Sequence, residues 1–212
     1  MEAAQQNKFF SDIVEDIRSR MERGDNLDER FITRDCLTDV WTSDRLIQFS
    51  NIVKLSKTDC TIEILRTKLL QTLSILVFMG WGHWEEFLHS FIYYENLEKR
   101  GDANIMRHTR EQLQKADFLV GKKPAEDFLL FRSSFVPIDI SEGIVGTYDQ
   151  GRRLPFVKPE NGIEFVLGSG GFGTVTKVGI AKSQYYRDKI PQPVRGLSHS
   201  TWKLLTMALA SF

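Results

Sequence analysis

This chain is poor in cysteine, balanced in charge and without a long unbroken apolar run. Its two cysteines, Cys36 and Cys60, stand alone among 212 residues. They have neither the spacing of a zinc site nor the number needed for a disulfide framework, so free thiols in a reducing compartment are expected. Acidic and basic residues cancel, 28 against 28, which leaves no basic footprint for a polyanion. Lys122-Lys123 and Arg152-Arg153 are isolated doublets that read as solvated loop charges, and no nucleic-acid partner is predicted. His83, His89, His108 and His199 share no ligand spacing, so no metal site is predicted either. The most apolar stretch, Leu69 to Trp81, is interrupted by Gln71, Thr72 and Ser74. It is shorter than the roughly 20 residues needed to cross a bilayer, and a buried helix is expected instead of a membrane span. The opening residues, Met1 to Lys8, lack the cationic and apolar regions of a signal peptide. An intracellular, cytoplasmic location is expected.

What is present, over residues 1–142, is helical periodicity. Phe9, Ile13, Ile17 and Met21 recur four apart with Phe10 and Val14 beside them, which predicts an amphipathic helix ending near Gly24. Arg34 to Ser50 predicts one or two short helices burying Leu37, Val40, Trp41, Leu46, Ile47 and Phe49. Thr33 or Asp35 would cap the first, and Thr42 or Ser43 the second. A central helix is expected over 61–79, broken by Gly80-Trp81-Gly82. A further helix over 83–97 would put Trp84, Phe87, Leu88, Phe91 and Ile92 on one face, a pattern that reads as core packing and not as a ligand cage. A polar helix is expected over 105–116 and a short one over 126–132. Ser134 to Ile140, interrupted by Pro137, reads as an extended edge or tether.

Gly143, Gly146 and Gly151 mark residues 143–159 as a linker. Beyond it, residues 160–182 read as a β-hairpin. Ile163 to Leu167 forms its first strand and Thr174 to Ile180 its second, around Gly168-Ser-Gly-Gly-Phe-Gly173. Glycines at the first, third and sixth positions let backbone N–H groups approach a phosphate with no Cβ in the way. A dinucleotide-binding fingerprint must run into a helix, whereas Thr174-Val-Thr-Lys-Val178 is rich in β-branched residues and predicts a strand. The Gly-Lys-Ser/Thr ending of a Walker A loop is absent.

Leu167-Gly-Ser-Gly-Gly-Phe-Gly-Thr-Val175 resembles the nucleotide loop that opens a eukaryotic protein kinase domain. The wider run, Arg153 to Val178, is similar to fungal protein kinases with a helical N-terminal region. The match covers about the last quarter of the chain and then breaks off. The resemblance implies ATP as ligand. Gly168, Ser169, Gly170, Gly171 and Gly173 would offer backbone donors to the phosphates, Leu167 and Val175 would roof the adenine, and Phe172 would sit at the tip. Mg²⁺ is implied only for a complete kinase domain. Of the lysines after Val175, Lys177 falls too early for the third-strand lysine of a kinase, Lys182 reads as part of the turn that follows, and the proline after Lys189-Ile190 argues against a central strand there. Lys203 has the best spacing, but its neighbours match weakly.

No Asp or Glu follows Asp188, so no later helix in this chain supplies the lysine's glutamate partner. The His-Arg-Asp, Asp-Phe-Gly and Ala-Pro-Glu motifs are missing too; Asp117-Phe118-Leu119 lacks the glycine and precedes the loop. No catalytic residue is assigned, and this chain alone is expected to be inactive in phosphoryl transfer. Residues 183–212 form a tail unlike a kinase, suggesting a truncated or mis-spliced product. The expected class is therefore α+β, with an N-terminal all-α helical module followed by an incomplete protein-kinase-like small-lobe hairpin. The alternative is a non-catalytic helical interaction module, bound to a protein partner, with a vestigial kinase segment.

Overall fold

The computed structural model describes residues 2–22, 30–55, 59–92, 101–119, 121–141, 153–157, 165–170, 173–177, 179–181 and 184–186. The fold is mostly helical with a minor β component, α+β in the coarse sense. The first helix, α1 (Glu2–Arg20), begins before the apolar stripe because Glu2 to Lys8 is rich in good helix formers. Phe9, Ile13 and Ile17 are buried, with Phe10 and Val14 half-buried beside them. Then come α2 (Arg34–Val40) and α3 (Ser43–Ile52). Thr33 caps α2 by accepting from the Cys36 N–H, and Thr42 caps α3 by accepting from the Arg45 N–H. Arg45 also reaches Asp16 of α1 and donates to the Val40 carbonyl at 2.8 Å, pinning the α2–α3 corner to the first helix.

The expected central helix is two helices, α4 (Asp59–Lys68) and α5 (Leu70–Phe78), broken at Leu69. The break is clamped from elsewhere in the chain. At the end of α4, Arg34 Nη2 donates to the Thr67 carbonyl at 2.6 Å. At the start of α5, the Asp102 carboxylate accepts from the Gln71 N–H at 2.9 Å, the Thr72 N–H at 2.9 Å and the Thr72 hydroxyl at 2.7 Å. Arg34 Nη1 lies 3.5 Å from the same carboxylate. One ion pair thus joins a C-terminal cap to an N-terminal cap, where a negative charge is favoured by the helix dipole. Burial pushes the Asp102 pKa above the ordinary carboxylate range, against the lowering influence of Thr72, Gln71 and Arg34.

The helix α5 is the centre of the bundle: Leu70, Thr72, Leu73, Ser74, Ile75, Leu76 and Val77 are all buried. It ends in a Schellman motif, with Gly80 at φ 74°, the Gly80 N–H on the Val77 carbonyl and the Trp81 N–H on that of Leu76. Trp41 packs on it and donates its Nε1–H to Ser74 Oγ at 2.9 Å. Next, α6 (Trp84–Phe91) buries Trp84, Phe87, Leu88 and Phe91. Trp84 stacks on Phe10 with ring centroids 5.4 Å apart, and Phe49 meets it edge-on at 5.1 Å. The aromatic face is therefore occupied by other aromatic residues of the core.

The stretch 105–116 is also interrupted, into α7 (Asp102–Ile105) and α8 (Arg110–Gln114). A capping box starts α8: Thr109 accepts from the Gln112 N–H, while the Gln112 side chain accepts from the Thr109 N–H. The last helix, α9 (Lys122–Phe135), is longer than the expected 126–132. Pro124 falls in its first turn, where the missing N–H costs nothing, and Ala125, Phe128 and Phe135 extend the buried stripe.

Six short strands among the described residues form three two-stranded ribbons. In the first, β1 (Ile140–Ser141) runs parallel to β6 (Tyr185–Tyr186). In the second, β2 (Phe156–Val157) runs antiparallel to β5 (Gly179–Ile180). The third pairs β3 (Phe165–Gly170) antiparallel to β4 (Gly173–Lys177).

Candidate functional site

The glycine-rich segment forms the β3–β4 hairpin. Its register sets Phe165 against Lys177, Val166 against Thr176, Gly168 against Val175, Ser169 against Thr174 and Gly170 against Gly173. The ladder shifts between Val166 and Gly168, so Leu167 sits at an irregularity directly beside the Gly168–Val175 pair. An extra residue in one strand bends and twists the ribbon locally. Six of the eight sequence-predicted site residues, Leu167, Gly168, Ser169, Gly170, Gly173 and Val175, therefore come together in one ribbon. Gly171 and Phe172, which join its strands, lie outside the described residues, as do Lys182, Lys189 and Lys203, His199 and residues 187–212. Residues 142–152, which include most of the glycine-bearing stretch, and Gly24 and 93–97 at the expected helix ends, lie outside them as well. Lys177 closes β4 opposite Phe165, on the second strand and not a third.

The expected second strand, 174–180, is divided between two partners. Residues 173–177 pair with β3, whereas Gly179 and Ile180 pair with Val157 and Phe156 of β2. The divided pairing extends the hairpin onto the helical part of the chain, because Ala181 N–H donates to the Pro155 carbonyl and Ile138 N–H to that of Arg153, each at 2.9 Å. An isolated two-stranded hairpin is marginal in water, and additional paired segments are the usual remedy.

A second concavity lies in the helical part. A cleft of about 410 Å³ opens between the end of α6, α7 and α8. Phe91 and Phe118, with ring centroids 4.8 Å apart, belong to its apolar lining, while His108, Gln112, Lys115 and Asp117 add polar groups. The His108 ring already bonds the Asn104 carbonyl through Nδ1 at 2.7 Å. No sequence pattern marks this cleft, whose walls meet only once α6 and α8 are placed. Among the described residues no group of three or more His, Cys, Asp or Glu could hold a metal ion. No described helix is long and apolar enough to cross a membrane.

Comparison with known proteins found no family model, no curated protein and no solved structure that matches this chain.

Proposed function

We propose that the chain is a protein-kinase-like ATP-binding unit, in which a helical module carries a glycine-rich phosphate-binding hairpin, and that it binds ATP without transferring phosphate. The observation that carries this reading is the strand–loop–strand form of Gly168 to Val175. A dinucleotide loop would lead into a helix, and here the third glycine opens β4. Pairing of Gly170 with Gly173 brings two residues without a Cβ opposite each other at the hairpin end. Backbone N–H groups there would cradle the phosphates, with Leu167 and Val175 against the adenine as the kinase resemblance implies. The chain supplies no His-Arg-Asp base and no Asp-Phe-Gly carboxylate for Mg²⁺, so its own groups bind and orient but do not move the phosphoryl group. Cytoplasmic residence is part of the same proposal.

The test is a melting curve of the whole chain with and without Mg-ATP. At ten times Kd, binding to the native state contributes about 1.4 kcal/mol, which raises Tm by about 3–6 °C for a chain of this size. Gly170→Val, which places a branched side chain at the phosphate cradle, should abolish the shift. No shift of the parent at millimolar Mg-ATP would overturn the proposal.

One feature favours the second reading, a protein-binding helical module. Among the described residues, the buried members of the main core cluster run from Phe9 to Phe135, all within the helical part of the chain. Retention of a cellular protein by the Gly170→Val chain would support that reading.

A further inference from the structure

We infer that the helical module controls the nucleotide hairpin directly, through a clasp of three chain segments that grips the strand leaving the glycine loop. The inference rests on the nucleotide reading of the hairpin and assigns that site its regulator. Three segments, residues 137–141, residues 153–157 and the described residues 179–181 and 184–186, each bond to the other two. Ile138 donates to Arg153, Ala181 donates to Pro155, β2 pairs with β5, and β1 pairs with β6 through Ile140–Tyr185 and Ser141–Tyr186. With its amide turned so that the NH₂ faces the acceptors around it, the Gln184 side chain fastens the third segment to the first, donating to the Pro137 carbonyl at 3.3 Å and to Asp139 Oδ1 at 2.8 Å. Ile138, Ile140, Ala181 and Gln184 are all buried there.

One side of the clasp is fixed to the helical core. Phe135, fully buried at the end of α9, offers its carbonyl to Gln71 Nε2 of α5 at 2.9 Å, and the preceding Ser134 carbonyl accepts from the Ile32 N–H at 2.8 Å. The other side is fixed to the hairpin, since Val178 alone separates Lys177 of β4 from Gly179 of β5. A trans peptide spans only 3.8 Å between Cα atoms. The end of α9 therefore cannot shift by more than a few ångströms unless β4 follows or the clasp opens. A protein partner that moves α9 would change nucleotide affinity, and by linkage nucleotide would change affinity for that partner by the same factor.

The experiment is residue-resolved amide hydrogen exchange on the full chain, for the parent, Gln184→Ala and Gln71→Ala. Gln184→Ala opens the clasp where it holds the third segment. Gln71→Ala loosens its anchor from inside the helical core, by deleting the α5 side chain that donates to the Phe135 carbonyl. Both variants should exchange the Ile138, Ala181 and Val175 amides at least tenfold faster, with α1 and α3 unchanged. Unchanged exchange at Ala181 in both variants, or faster exchange at Ala181 with Val175 unaffected, would overturn the inference. Mg-ATP melting of the same samples separates the two claims. A parent without a melting shift but with the exchange pattern loses its nucleotide reading and keeps the clasp. A parent with the shift but without the pattern keeps the nucleotide and loses the coupling. Where both hold, the variants should change the apparent Mg-ATP affinity at least threefold.

Discussion

Removing the Asp102 carboxylate tests the α4–α5 clamp, which the sequence did not announce. Asp102→Ala deprives three donors of their acceptor: the Gln71 N–H, the Thr72 N–H and the Thr72 hydroxyl. Thr72 is fully buried, so water cannot replace the lost partner there without entering the core. An unsatisfied buried donor costs about 1–3 kcal/mol, and loss of an N-terminal cap costs about 1 kcal/mol. Deleting one member of a buried ion pair costs about 3–5 kcal/mol. The Arg34 side chain is 41% exposed, however, and can rehydrate. The expected loss is therefore near the lower end, about 3 kcal/mol, read as a lower urea midpoint at unchanged m.

Asp102→Asn separates the hydrogen bonds from the charge. Its amide oxygen can still accept from Thr72, while its NH₂ faces the Gln71 N–H, so the loss should be less than half that of alanine. The pH dependence follows from the sign of the shift. Burial raises the folded pKa above the unfolded one, so the folded state holds the proton more tightly. The contribution is then fully present below the unfolded value and is lost as pH rises through the folded one. Asp102→Asn should remove that fall from the stability curve. A loss under about 1 kcal/mol for alanine, or an asparagine variant as damaged as alanine, would refute the clamp.

Three further outcomes are expected. Thr109→Ala breaks the capping box of α8 and should cost about 1 kcal/mol, measured by urea unfolding; an unchanged midpoint would count against the box. At Asp16, partial burial favours the proton, but hydrogen bonds from Arg20 and Arg45 and their charges outweigh it and hold the pKa low. Its stabilisation is present above the unfolded value and lost as pH falls through the folded one, so Asp16→Asn should flatten the acid limb of Tm against pH. The effect should stay below about 1 kcal/mol because Arg20 is exposed and Arg45 and Asp16 remain partly in contact with water, which screens their charges. Trp41→Phe deletes the bond to Ser74 and leaves a small void beside α5, for an expected loss of about 2 kcal/mol by thermal melting; a gain in Tm would contradict the packing described.

Much of the helical part was legible where the signal was local, although Ile47, expected in the core of α3, is exposed instead. The stripe Phe9, Ile13 and Ile17 needs only neighbouring residues and is buried as its spacing predicts, and of the two candidates for each cap the structure uses Thr33 and Thr42. The break at Leu69 is different. Residues 61–79 carry an unbroken helical pattern, and the groups that stop it come from Arg34, 33 residues before Thr67, and Asp102, 30 residues after Thr72. No window of local sequence contains both halves of that interaction. The break before α8 was legible and went unread. Thr109 and Gln112 stand at the spacing of a capping box, but the polar run from Ile105 to Ala116 looked continuous.

The hairpin divides in the same way. That a strand follows the glycine loop is written in Thr174, Val175 and Thr176, because β-branched residues favour extended backbone. Where that strand stops pairing with β3 is not written there. Phe156 and Val157 lie within the stretch that reads as linker, and two residues are too few to display a period of two. The segment that pairs with Gly179 and Ile180 bonds through the Arg153 carbonyl to Ile138, on a stretch that the Gln71 side chain and the Ile32 N–H hold to the helical core. A motif can thus be recognised from its own residues while its attachment is set by helices more than a hundred residues earlier in the chain.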